Sequence, residues 1–140
     1  GDRMSPGRRM AVLEREAGRL LHKRGYDSIS VSDAFQDRHY IPYNLIAHRL
    51  RDDGSDDTLV VKIKVALHRF DTKDADVFCR AEIMQVKNVW AGLPAELEGA
   101  RYECWVSIPP DVFQQFEITA RGLREIAPDQ KQDAPAGGAG

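Results

Sequence analysis

The segment LVVKIKVAL, at residues 59–67, constrains the fold of this chain more than any other stretch. Successive side chains of a strand point to opposite faces of its sheet. One face here is apolar, with Val61, Ile63 and Val65, and the other carries Val60, Lys62 and Lys64. Two lysines are costly on a buried face, because an unpaired ammonium does not tolerate desolvation. Either this second face lies in water, or the ammonium groups meet carboxylates or phosphate oxygens in a polar pocket.

Periodicity predicts helices and further strands around this one. The predicted helices cover residues 8–24, followed by a Gly25 cap, and 73–91, preceded by a cap at Asp71-Thr72. Further strands are predicted at 28–31, around 45–47, and at 100–108, 113–119 and 123–126. A turn centred on Asp53-Gly54 predicts a hairpin. The order αβββαββ, with an optional last strand, predicts an α/β domain whose mixed central sheet is flanked by helices.

Length and local composition indicate one domain between two polar ends. A chain of 140 residues can bury one core but is too short for two full domains. Residues 1–7 lack periodicity, so we expect a disordered arm there. Residues 128–140, PDQKQDAPAGGAG, are too poor in apolar side chains to form a core and are expected to be a disordered tail. The single folded domain is predicted at residues 8–127.

The overall charge and hydropathy exclude several classes of protein. A net charge of -2 and a pI near 6.1 exclude a strongly basic, histone-like protein. The chain contains no long uncharged apolar run, so we expect no membrane span. Its two cysteines are too few for a disulfide framework, and reduced thiols in a cytoplasmic protein are the simpler interpretation.

Several segments occur in an order that is known from one nuclease superfamily. They are EREAGRLLHKRGY at residues 14–26, NLIA at 44–47, the Asp-Gly turn, and LVVKIKVA at 59–66. Together they resemble the PD-(D/E)xK nucleases, most closely the archaeal Holliday-junction-resolvase-like branch. The resemblance covers residues 8–126. It implies a restriction-endonuclease-like fold, and also a homodimer, because resolvase-like relatives pair through their sheets and helices.

The resemblance also implies which residues stand at the nuclease site. Glu14 matches the helix glutamate of the family, with Glu16 as a near alternative, and Lys64 matches the family lysine. Asn44 and Lys62 stand where active members have the two carboxylates that hold Mg²⁺. Asn44 in place of an aspartate removes one negative charge from the site. Lys62 in place of a glutamate makes the site more positive by two further charges. Such a site would repel a divalent cation, so we expect a degenerate site without a cofactor.

A carboxylate from another element could replace the missing ligands, and Mg²⁺ is expected only in that case. Asp33, Asp37 and Glu82 are the candidates, although spacing favours none of them. The four histidines have no zinc-ligand spacing, and neither cysteine has a recognisable catalytic partner. The aspartates of the predicted hairpin, residues 52–57, fit a solvated turn better than a calcium loop.

Basic residues are concentrated in the first helix and its approach. Residues 1–25 carry seven basic and three acidic side chains, a net charge of +4 that the total of -2 conceals. The candidate nucleic-acid-binding residues are Arg8, Arg9, Arg15, Arg19 and Lys23. This helix face either is simply solvated or contacts phosphates beside the former active-site cleft.

Three functions remain open on these grounds. The first is a catalytically inactive nuclease-fold protein that binds nucleic acid or a protein partner. The second is a metal-dependent DNA endonuclease with a relocated carboxylate. The third is a structural or regulatory homodimer. Asn44, Lys62 and the basic first helix are the features that separate them.

Overall fold

The computed structural model describes residues 6–31, 43–92, 99–108 and 112–126. Within these ranges the structure contains helices α1 (Pro6–Lys23), α2 (Thr72–Phe78) and α3 (Arg80–Gly92), and strands β1 (Asp27–Ser30), β2 (Leu45–Leu50), β3 (Asp56–Val65), β4 (Arg101–Ile108), β5 (Val112–Thr119) and β6 (Gly122–Ile126). The predicted tail at residues 128–140 lies outside the described residues, as do residues 1–5 of the predicted arm.

The strands form one mixed sheet, which confirms the predicted α/β class. Their order in the sheet follows the chain, from β1 to β6. All neighbours are antiparallel except β3 and β4, which run parallel. A parallel pair needs a long crossover connection, and α2 and α3 lie in that connection. Within the described residues the order is αβββααβββ, which has one helix and one strand more than αβββαββ, because the helix predicted at 73–91 is two helices and the optional last strand is present.

Two cores lie on opposite faces of the sheet. The first contains Ala17 and Leu21 of α1 packed on Leu59, Val61 and Ile63 of β3. The second packs residues of α2 and α3 on the other face, which includes Val60. The alternation of β3 therefore decides which helix each of its side chains meets, as the pattern of residues 59–67 predicts. No helix within the described ranges is long and apolar enough to cross a membrane.

Local signals set the ends of several elements. Gly25 has a φ of +93°, and its amide N donates to the carbonyl O of His22 while that of Tyr26 donates to Leu21, so a Schellman cap ends α1. The predicted hairpin turn contains Gly54 at a φ of +85°. The predicted cap at Asp71 is also present, and its side chain accepts from the amide N of Asp74 at 2.7 Å.

Candidate functional site

A cleft of about 950 Å³ lies between α1 and the edge of the sheet at β1. Its lining includes polar side chains from two elements, α1 and β1, and from the approach to β2. They are Glu14, Arg15 and His22 of α1, Asp27 and Ser30 of β1, and Asn44 just before β2. Two of the residues predicted from the nuclease resemblance, Glu14 and Asn44, therefore share one cleft.

Glu14 and Asn44 are joined directly, and the bond explains the amide at position 44. The carboxylate of Glu14 accepts from Ser30 Oγ and from Asn44 Nδ2, both at 2.9 Å. Asn44 Oδ1 accepts from the backbone N of Ile63 at 2.7 Å. Both ends of the Asn44 amide are thus used within the fold, and the residue is only 9% exposed. An aspartate here could not donate and would set a second carboxylate against Glu14.

Lys62 and Lys64 lie on the opposite face of the sheet from this pair. Lys64 Nζ donates to the carbonyl O of Phe78 at 2.8 Å and to Glu82 Oε1 at 3.0 Å, and it lies 4.5 Å from the centre of the Phe78 ring. Lys62 shares this face with Lys64 by strand alternation and is half-buried. The four predicted positions therefore form two separate groups, because the sheet stands between them. Of the two alternatives for this face of β3, Lys64 follows the second, because its ammonium group meets a carboxylate, that of Glu82.

The candidates for a relocated carboxylate have different outcomes. Glu82 is the ion-pair partner of Lys64. Asp33 and Asp37 lie outside the described residues. Across the described ranges, no group of three or more His, Cys, Asp or Glu residues could hold a metal ion.

The predicted nucleic-acid-binding residues of α1 are exposed where they are described. Arg9, Arg15, Arg19 and Lys23 lie on the solvent side of the helix, and Arg19 forms an ion pair there with Glu16. The side chain of Arg8 lies outside the described residues. Arg24, the last basic residue of the segment, turns inward instead.

A buried cluster of arginines and carboxylates, which sequence reasoning did not find, joins α1 to the sheet. Arg24 forms a two-pronged ion pair with Glu103 of β4, with both N···O distances at 2.9 Å. Trp105 Nε1 donates to the same carboxylate at 2.8 Å, and Glu103 is fully buried. Nothing in the spacing of Arg24 and Glu103, 79 residues apart, signals this contact.

Asp57 is the second carboxylate of this cluster, and its burial corrects the interpretation of residues 52–57 as a wholly solvated turn. It is 2% exposed because β3 begins at Asp56, which directs Asp57 inward. It accepts from Tyr26 Oη and Arg49 Nε at 2.8 Å, and from Arg101. Burial alone would raise the pKa of Asp57, but these hydrogen bonds outweigh it and hold the pKa at about 2.

Within the described residues, the predicted site positions thus contribute a cleft, the Glu14–Asn44 pair and an exposed basic side of α1. Neither the family models nor the curated proteins that were searched match this chain. The expected homodimer and the expected cytoplasmic location stay predictions.

Proposed function

We propose that this chain is a PD-(D/E)xK nuclease-fold protein that binds nucleic acid without cleaving it. The binding surface is the exposed basic side of α1, and the observation that carries the proposal is the exposure of Arg9, Arg15 and Lys23 on that side. The resemblance to the archaeal Holliday-junction-resolvase-like branch provides the ligand class. The mixed sheet, with α1 on one face and the crossover helices on the other, is compatible with that resemblance.

The chemistry of the cleft supports binding without metal-dependent cleavage. A magnesium site in a nuclease normally needs one or two carboxylates with free oxygens. Glu14 is the carboxylate of the Glu14–Asn44 pair, and both its oxygens already accept hydrogen bonds. Val61 and Ile63 of β3, which pack on α1, are apolar and offer no ligand. The carboxylate of Asp57, also in β3, is held by Tyr26, Arg49 and Arg101.

The dimensions of the basic side suit contact with a nucleic-acid backbone. Arg9 and Lys23 are fourteen residues apart, which is about 21 Å along a helix. A distance of about 21 Å matches roughly six base pairs of duplex, at about 3.4 Å per step. Within the described residues, no ion pair neutralises Arg9, Arg15 or Lys23. Their charges are therefore available to phosphates.

Fluorescence anisotropy with labelled duplex, single-stranded and four-way-junction DNA tests the proposal. The variant Arg9→Gln/Arg15→Gln/Lys23→Gln removes three charges from α1. A matched control, Lys73→Gln/Arg80→Gln/Lys87→Gln, removes three exposed charges from α2 and α3. We expect the α1 variant to bind at least about tenfold more weakly and its slope of log K against log salt to fall by roughly two to three.

Two outcomes would contradict the proposal. One is an equal loss of affinity in both triple variants, which would mean that only the total charge matters. The other is that the wild-type protein binds none of the three DNA forms at low salt.

The relocated-carboxylate nuclease is distinguished by a cleavage assay with Mg²⁺ or Mn²⁺ on the same DNA forms. We expect no metal-dependent cleavage. Cleavage that a chelator abolishes, and that substitution of Asp33 or Asp37 also abolishes, would favour the nuclease instead.

A further inference from the structure

The two cysteines of the chain meet in the core between the sheet and the crossover helices. Cys79 is the single residue between α2 and α3, and Cys104 lies in β4. Their Sγ atoms are 3.4 Å apart in a hydrogen bond, and both residues are fully buried. The contact is not used by the proposed binding surface, which lies on the other side of the sheet.

We propose that Cys79 and Cys104 form a redox-active dithiol that a peroxide converts into an intramolecular disulfide. A disulfide has an S–S distance of about 2.05 Å, so the sulfurs at 3.4 Å must approach by about 1.4 Å. Cys104 is fixed in a central strand that pairs with β3 and β5. Cys79 lies at the joint between two helices and has a non-helical backbone. The joint can therefore supply the movement.

Cys79 is the thiol that reacts first. The amide N of Ile83 donates to the carbonyl O of Cys79 at 3.0 Å, so Cys79 stands at the N-terminus of the thirteen-residue α3. A thiolate is stabilised at such an end and by nearby positive charge. The hydrogen bond from Cys104 lowers the pKa of the Cys79 thiol, burial opposes this, and the ammonium of Lys64 lowers it further. Cys104, by contrast, has a raised pKa because of its bond with Cys79 and its burial.

The reaction with hydrogen peroxide balances in two steps. The Cys79 thiolate attacks one peroxide oxygen, the O–O bond breaks, and the hydroxide that leaves takes up the thiol proton as water. This gives a sulfenic acid on Cys79. The Cys104 sulfur then attacks the Cys79 sulfur, the S–O bond breaks, and a second water leaves with the Cys104 proton. The two sulfurs lose two electrons in total and the peroxide gains them. Peroxide is small and uncharged, so a local opening of the core is enough to admit it.

Intact mass spectrometry of the full chain tests the proposal. The reduced protein is treated with hydrogen peroxide, quenched with catalase, and then unfolded in the presence of iodoacetamide. We expect a mass about 2 Da below that of the reduced chain, no alkylation, and full reversal by dithiothreitol. Peptide mapping should give the Cys79–Cys104 cross-link. The oxidised protein should also unfold at a temperature roughly 10 °C higher, because the cross-link closes a loop in the unfolded chain.

Alkylation of both cysteines after peroxide treatment, added oxygen without a cross-link, or a disulfide between two chains would each overturn the proposal. Single variants test the order of the two thiols. Cys104→Ser should retain a sulfenic acid on Cys79 that dimedone traps, whereas Cys79→Ser should leave Cys104 unmodified. The reverse pattern would overturn the assignment of Cys79. If either variant fails to fold, brief dimedone trapping in the wild-type protein, followed by peptide mapping, gives the same assignment.

Discussion

At the scale of single residues, Asn44 shows how one amide can join a helix to a strand. Its Nδ2 donates to Glu14 and its Oδ1 accepts from the backbone of Ile63. It therefore connects α1 to β3 by two hydrogen bonds. An amide can donate and accept at the same time, and an ionised carboxylate can only accept. The local hydrogen bonding thus requires an amide at position 44.

The variant Asn44→Asp should be destabilised at neutral pH and much less so in acid. It sets two carboxylates about 3 Å apart, which raises the pKa of one of them above its unfolded value. A raised pKa makes the folded state lose stability as pH increases, so we expect a loss of about 1–3 kcal/mol at pH 7 that shrinks towards about pH 4. Urea unfolding at the two pH values measures this.

Two control variants distinguish repulsion from simple loss of a hydrogen bond. Asn44→Ala should be destabilised to a similar degree at both pH values. Glu14→Gln combined with Asn44→Asp should recover most of the stability, because the donor and acceptor only change places. A destabilisation of Asn44→Asp that does not depend on pH would show that the two carboxylates do not interact.

Asp57 should make the stability of the protein depend on pH in the acid range. Its pKa of about 2 in the folded protein lies below the ordinary 3.8. A lowered pKa gives stability that is present above about pH 4 and is lost as pH falls towards 2, here about 2 kcal/mol. In urea unfolding, Asp57→Asn should be less stable than wild type at pH 5, with the difference closing near pH 2. The exposed neighbour Asp56 is the control, and Asp56→Asn should differ little throughout.

At the scale of elements, side-chain contacts attach α1 to the sheet at two places along its length. Its middle is joined to the approach to β2 through Glu14 and Asn44, and its end is joined to β4 through Arg24 and Glu103. The Schellman cap at Gly25 then turns the chain into β1. With its inner side fixed in this way, α1 presents its outer side to solvent in one orientation. That orientation is what the proposed nucleic-acid surface needs.

Glu103→Gln should loosen this attachment strongly. It leaves the guanidinium of Arg24 largely buried without its charge partner, and breaking a buried ion pair on one side costs roughly 3 kcal/mol or more. The matched control is Glu16→Gln, which removes the partner of the exposed Arg19 and should change stability by less than about 0.5 kcal/mol. Urea unfolding measures both. Equal effects would mean that burial does not govern the strength of these pairs.

At the scale of the whole molecule, the sheet separates two groups of residues that the sequence pattern places together. Glu14 and Asn44 lie on the α1 side, whereas Lys62 and Lys64 lie on the side of α2 and α3. Each side has its own internal contact, since Asn44 donates a hydrogen bond to Glu14 and Glu82 forms an ion pair with Lys64. The nuclease resemblance implies that Asn44 and Lys62 change the charge of one site. In the structure these two residues lie on different faces of the sheet, so the change is divided between the faces.

The double variant Asn44→Asp/Lys62→Glu should consequently fail to create a metal site. It restores both family carboxylates in sequence but leaves them on opposite faces of the sheet. Titration calorimetry with Mg²⁺ and Mn²⁺ should detect no more binding than in wild type, and the variant should not cleave DNA in either metal. Metal binding by the double variant, absent from Asn44→Asp alone, would show that the two positions do converge.

The sequence alone determined most of the elements of this protein, because their signals are local. The alternation of residues 59–67, the glycine after α1 and the Asp-Gly turn each act within a few residues, and all three recur in the structure. The break at Cys79 was missed, since the apolar positions of residues 73–91 fit one continuous helix as well as two.

Only the tertiary structure decided which residues form a site. Arg24 belongs to a basic run in the sequence, yet it is buried against Glu103, and Asp57 belongs to an acidic turn, yet it lies among arginines. Long-range pairs of this kind leave no periodic signal, because they join residues from different elements. The same reason separates Lys62 and Lys64 from Glu14: a motif fixes spacing along the chain, but the two faces of a sheet determine which side chains can meet.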